Sequence, residues 1–184
     1  PHHRMNRRIQ PAEAEQRLLQ AARLSADCVA FTRLVSPHVA PIRRYLERFT
    51  QDGADADDLT QETLLTAWRR LDDYDGRGRF KAWLFAIAYR EFLQHARSRR
   101  RFWRALGRLR AEPAVETVSG DAPAAASDLE RLLDALEPET RALVLMSKGV
   151  GLSHAEIAEI TGKPLGTVKS VINRATRRLI DEHA

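Results

Sequence analysis

Thr167, Lys169, Ser170, Asn173, Arg174 and Arg177 lie close together near the C-terminal end of the chain. They carry the groups that read DNA: hydroxyls and an amide for base edges, guanidinium forks for guanine or phosphate, and an ammonium for phosphate. Val168, Ile172, Ala175 and Leu179 are interleaved with them at steps of four, three and four. A helix from about Leu165 to Asp181 therefore separates an apolar face from a polar, basic one. The backbone N–H groups at its start, Gly166-Thr167, suit a phosphate. A basic helix by itself favours a solvated face on a structural helix, so the elements ahead of it and the small and polar residues toward its start decide the reading.

Those elements are a capped helix and a tight turn. Ser153 caps a helix predicted over Ser153–Thr161, with Glu156 at the third position of a capping box. Ala155, Ile157, Ala158 and Ile160 are its packing residues, and Thr161-Gly162-Lys163-Pro164 is the turn. Upstream, Ser127-Asp128 caps a helix over Leu129–Leu136. Pro138 opens another that runs to about Lys148 and ends at Gly149-Val150-Gly151. A short helix, a glycine-containing turn and a longer basic helix make a helix-turn-helix.

A second constellation lies further upstream. Arg77, Arg79 and Lys81 bring cations to the start of a helix predicted over Phe80–Arg101. Seven arginines follow between Arg97 and Arg110 with no acid among them, and Phe102 and Trp103 are set into that strip, to stack on a base or to pack. Opening a duplex needs cations for phosphate and a pocket for an unstacked base. Phe80, Trp83, Leu84, Ile87 and Ala88 form the buried side of this helix, with Trp83 assigned to the core. Ahead of it, Asp72–Gly78 is a turn, and Asp55–Leu71 a helix with Asp55 or Asp57 as its cap and Leu64, Trp68 and Leu71 as its apolar stripe. The segment Ala26–Phe49 carries Phe31, Leu34, Val35, Val39, Ile42 and Leu46. Pro37 and Pro41 are expected to divide it into two short helices, because an interior proline removes a backbone donor.

Period-two alternation is nearly absent, so the chain is expected to be all-α. From Arg104 to Ala126 small residues and prolines replace the periodicity, which marks a flexible linker. The expected organisation is a cloning remnant and N-terminal extension over 1–25, a helical domain over 26–103, a linker over 104–126 and a helix-turn-helix domain over 127–184.

Composition narrows the partners. The chain has 184 residues, of which 43% are apolar and 30% charged, and a net charge of +5, which favours a polyanion. No apolar run approaches the roughly 20 residues that span a bilayer, and the first residues lack the apolar core of a signal peptide. Cys28 is the one cysteine, and none of the six histidines forms a metal-type spacing. A reducing cytoplasm is expected, with no metal and no cofactor. No carboxylate cluster with metal spacing stands beside the basic strip, so a nuclease is disfavoured and no enzymatic activity is expected.

Three stretches resemble one family. Gly151–Ser170, Gly-Leu-Ser-His-Ala-Glu-Ile-Ala-Glu-Ile-Thr-Gly-Lys-Pro-Leu-Gly-Thr-Val-Lys-Ser, resembles the region-4 domain of the extracytoplasmic-function (group IV) sigma factors of the sigma-70 family. Asp55–Arg69 resembles their region-2 helix, and Gly78–Arg97 the part that opens and reads the −10 element. The resemblance runs from about Phe31 to Leu179. It implies a factor that brings core RNA polymerase to promoters without covalent chemistry of its own. It implies −35 contacts from Lys169, Ser170, Asn173 and Arg174, with Thr167 and Arg177 added from the same polar face; for the −10 element the candidates are Arg79 and Lys81, by their charge, with Arg90, Gln94 and Arg97. Docking on the polymerase clamp helices is implied for Asp58, Gln61, Glu62, Leu65, Trp68 and Arg69, and a partner anti-sigma factor is implied as well.

The sequence departs from the family at Val171, where many relatives carry arginine, at Tyr89-Arg90 in place of Arg-Asn, and at Gln94 in place of Asp. An unusual −10 preference is therefore implied. The competing reading is a response-regulator-like helix-turn-helix regulator, which needs a receiver domain with parallel strands.

Overall fold

The structure is a computed structural model that describes residues 11–24, 27–50, 53–76, 79–109 and 128–181; for 11, 12, 100, 102–109 and 128–130 it describes the backbone alone. Among the described residues there are helices and turns and no strand. The helices are α1 (Pro11–Leu24), α2 (Cys28–Glu47), α3 (Gly53–Arg69), α4 (Phe80–Leu109), α5 (Asp128–Asp134), α6 (Pro138–Val144), α7 (His154–Thr161) and α8 (Leu165–Asp181). A 3₁₀ turn, Leu71–Asp73, follows α3, and a π turn, Leu145–Gly149, extends α6.

Several expectations are corrected. α2 is one helix through Pro37 and Pro41. Asp27 caps it, its Oδ1 accepting from the Val29 and Ala30 amides at 2.8 and 3.1 Å. Ala30, Phe31, Leu34 and Val35 are buried on one side of the prolines and Ile42, Tyr45 and Leu46 on the other. An interior proline costs about 3 kcal/mol, whereas each large apolar side chain buried contributes roughly 1.5–3 kcal/mol, so packing outweighs the break. Pro37 itself is exposed.

α3 starts at Gly53, so Asp55 lies inside its first turn rather than at its cap, and Asp57 lies beyond it. Its buried face is Ala56, Leu59, Thr60, Thr63 and Ala67. Leu64 and Trp68 are only partly buried against the core. The two threonines reach the interior because their hydroxyls donate to the Ala56 and Leu59 carbonyls within the same helix, each at 2.7 Å. α4 continues to Leu109, past the Arg101 end and into the segment read as linker. The rest of that segment, from Arg110, lies outside the described residues, as do the Ser127 cap, Arg77 and Gly78 and the side chains of Arg100, Phe102, Trp103, Arg104 and Arg108.

The N-terminal extension contributes structure too. α1 buries Ala22, and Arg23 donates through Nε and Nη2 to the Leu71 carbonyl at 3.1 and 2.9 Å, its guanidinium 5.9 Å from the Tyr74 ring centre. The core of the first domain is aromatic: Phe80 stacks on Trp83 at 5.5 Å, Tyr45 meets Phe85 edge-on at 5.6 Å, and Phe49 lies 4.3 Å from Phe92. Trp83 is half-buried and has its face against Phe80, consistent with packing.

Candidate nucleic-acid interface

The helix-turn-helix is assembled by local interactions. Ser153 Oγ accepts from the Glu156 amide at 3.2 Å while Glu156 Oε2 accepts from the Ser153 amide at 2.7 Å, so the capping box is complete. Gly162 ends α7 with φ +69°, a left-handed conformation that favours glycine. Lys163 in the turn pairs with Glu139 of α6 at 2.9 Å. Val168, Ile172 and Ala175 are buried and Leu179 partly so. On α7, Ile157 is fully buried and Ala158 and Ile160 pack against the core, but Ala155 is exposed and does not contribute.

Thr167, Lys169, Ser170, Asn173, Arg174 and Arg177 are all exposed, as one face of α8. Ser170, Asn173, Arg174 and Arg177 line a shallow groove that also includes Arg178 and Asp181. The sequence reading did not select these last two. Their spacing from Arg174 and Arg177, by four each, is the signal that could have found them.

The candidate docking residues share a face of α3. Asp58, Gln61, Glu62, Leu65 and Arg69 are exposed, and Leu65 is among the exposed large apolar side chains at 46%. Trp68 differs from them: it is half-buried and lies edge-on to Phe31 at 4.9 Å. Asp55, Asp58, Leu59, Gln61 and Glu62 line a depression completed by His95 of α4. Asp55 pairs with Arg99 at 3.2 Å, which ties one arginine of the basic strip back to α3.

The −10 candidates fall into two sets. Arg90, Gln94 and Arg97 are exposed at steps of four and three along α4, and Arg101 continues the stripe. Arg79 and Lys81, at the start of α4, instead meet the helix-turn-helix domain. Arg79 Nε donates to Glu156 Oε1 at 2.6 Å and Nη2 to Glu156 Oε2 at 2.5 Å, with a longer bond to the Gly151 carbonyl at 3.4 Å. Lys81 Nζ donates to the Val150 carbonyl. Beside them His38 is held below its usual imidazole range, first by burial and then by Lys81.

Arg141, which the sequence reading passed over, closes the other end of the seam. It donates through Nη1 to the Arg48 carbonyl at the end of α2 and to Asp134 Oδ1, both at 2.9 Å. Through Nη2 it donates to the Asp134 carbonyl at 2.7 Å. Apolar packing is continuous between these ties, from Phe80 and Leu84 to Leu143, Met146 and Ile157.

The Glu156 carboxyl is held down from 4.5 to about 2, chiefly by the Arg79 hydrogen bond, with desolvation opposing and Ser153 assisting. The unfolded chain thus binds this proton near 4.5 and the folded chain near 2. The stabilisation is whole above the higher value and is lost as pH falls through that window. The Arg79 side chain is 54% exposed, so screening limits the effect to about 1 kcal/mol. Denaturant unfolding of the parent and Glu156→Gln, from neutral pH down through the window, is expected to show a stability difference that shrinks on acidification. A constant difference would exclude the pair as its source.

A complete capping box, a left-handed glycine turn and an amphipathic helix with an exposed polar face, in a chain whose described residues are otherwise helical, define a helix-turn-helix DNA-binding protein. Residues 34–102 match the family Sigma-70 region 2, and residues 126–179 match Sigma-70, region 4. The chain belongs to the sigma-70 family, among the extracytoplasmic-function (ECF) sigma factors, and serves promoter-specific initiation of transcription.

It is 37% identical over 165 residues to the ECF RNA polymerase sigma factor SigE of Mycolicibacterium smegmatis, with 83% of this chain and 61% of that protein covered. It is 35% identical over 159 residues to SigL of Mycobacterium tuberculosis, with 84% of this chain and 89% of that protein covered. The fold is similar to that of the sigma factor RpoE in its complex with the anti-sigma factor NepR from Bartonella quintana. The TM-score is 0.66 at 26% identity, over 82% of this chain and 94% of that one. The response-regulator reading finds no support: both of its domains would have to be replaced by sigma regions, and the parallel strands it needs do not occur among the described residues.

Proposed function

We propose that two helical units divide promoter recognition, one over 26–103 and one over 127–184, joined by 104–126, whose first residues through Leu109 prolong α4. The second unit reads the −35 element through Thr167, Lys169, Ser170, Asn173, Arg174 and Arg177. The first reads and opens the −10 element through Arg79, Lys81, Arg90, Gln94 and Arg97. It docks on core RNA polymerase through Asp58, Gln61, Glu62, Leu65 and Arg69, with Trp68 bracing that face from below. The protein acts by binding alone, in the cytoplasm, without enzymatic chemistry. An anti-sigma factor holds it inactive, as the NepR complex of the similar RpoE suggests. Among the described residues no helix is long and apolar enough to cross a membrane.

One observation carries this reading: the six −35 candidates are exposed together on α8, directly behind a helix and turn that are fixed by their own local bonds. Two DNA-binding units held on one polymerase gain from high effective concentration, so each can be weak by itself. Transcription in vitro with core polymerase and a promoter library tests the reading and defines both boxes; no initiation on any template would refute it. Arg174→Ala is expected to weaken −35 binding by about 1–3 kcal/mol, the range of a bidentate base contact, with unfolding stability unchanged. Undiminished affinity on the selected −35 box would remove Arg174 from base readout.

A further inference from the structure

Arg79 and Lys81 stand where DNA phosphate is expected, yet their donors are engaged by the chain's own second domain. Both oxygens of Glu156 face Arg79 Nε and Nη2, at 2.6 and 2.5 Å. A planar guanidinium takes a carboxylate or a phosphate with the same fork, so the two ligands compete for one set of donors. The loop ahead of α7 adds the Val150 carbonyl for Lys81 and the Gly151 carbonyl for Arg79. Glu156 is well suited to the task. Its side chain is only 16% exposed, and the capping box holds it in place through Ser153, whose amide and hydroxyl both bond its Oε2 at 2.7 Å. Arg90, Gln94 and Arg97 on α4 and the six −35 candidates on α8 are exposed.

We propose that Glu156, with the Val150 and Gly151 carbonyls, is an intramolecular phosphate mimic that latches the helix-turn-helix domain onto the −10 surface and masks Arg79 and Lys81 until the domains separate. The masking rests on the reading of those two residues as −10 contacts. The latch is one-sided. In the closed chain the −35 candidates stay exposed while the donors of Arg79 and Lys81 at the start of α4 are engaged by the second domain, so −10 engagement follows domain separation. Arg141, bonded to the Arg48 carbonyl at 2.9 Å, acts as the far-side hinge contact. Phosphate displaces Glu156 only once the loop and α7 have moved away.

Glu156→Gln is the discriminating variant. Glutamine still serves at the third position of a capping box, so α7 keeps its start while the charge opposite Arg79 is removed. Spin labels at the exposed Cys28 and at Glu159→Cys on α7 report the distance between the domains in the full chain. Loss of the charge is expected to shift the distribution to longer distances. It is also expected to raise affinity for a short fluorescent single-stranded DNA of mixed sequence by about threefold to fivefold, the scale of one exposed charge-assisted pair. Adding Arg79→Ala to the variant should abolish that gain.

Unchanged distances overturn the latch, and longer distances without a gain in affinity overturn the masking. In the parent chain, raising the ionic strength screens the pair and should lengthen the distances without any substitution; distances insensitive to salt also count against the latch. Arg79→Ala in the polymerase-bound form tests the underlying assignment separately, since undiminished promoter opening there refutes Arg79 as a −10 contact whatever the distances show.

Discussion

Replacing Gln61 and Glu62 together by lysine is expected to abolish co-elution of the protein with core RNA polymerase. Both side chains are exposed on α3, and both line the depression shared with Asp58 and His95. Lysine ranks beside glutamine and glutamate in helix propensity, so α3 is expected to persist. The face nevertheless changes by three units of charge, two at Glu62 and one at Gln61. Like charge placed against a surface shaped for the original sign costs several kcal/mol and slows encounter. Folding is checked by the unchanged unfolding midpoint of the double variant. Retained co-elution at an unchanged midpoint would move the docking surface away from α3.

The second large effect is on stability. Ile172→Ala is expected to destabilise the helix-turn-helix domain by about 2–5 kcal/mol, the range for deleting a fully buried aliphatic side chain. Ile172 has no exposed surface and lies on the inner face of α8. The substitution leaves Asn173 and Arg174 intact, yet −35 binding should fall wherever the domain is unfolded. Denaturant unfolding followed by far-ultraviolet circular dichroism measures the loss. A shift near zero would mean that the inner face is not held by packing. The contrast with Arg174→Ala is diagnostic, because that change should remove affinity and leave the midpoint in place.

Where these effects arise reflects how far each feature depends on distant parts of the chain. The helix-turn-helix was legible because its determinants are neighbours: Ser153 with Glu156, the left-handed Gly162, and apolar steps of four, three and four along α8. The exposed face of α8 followed from the same periodicity. Sequence was less informative where burial competed with local preference. The prolines of α2 suggested a break, and only the packing of Phe31, Leu34, Ile42 and Leu46 around them kept the helix whole. The inner face of α3 was misplaced because threonine reads as polar, while Thr60 and Thr63 satisfy their hydroxyls inside their own helix.

The amino-acid sequence thus determined the all-helical character, the helix-turn-helix and the family, since these rest on residue type and spacing within a turn or two of helix. The tertiary structure alone decided how the two domains meet. The partners of Arg79, Lys81 and Arg141 lie 77, 69 and 93 positions away. A cation in a sequence carries no mark of which distant carboxylate or carbonyl will reach it. That choice is made only when burial brings the surfaces together.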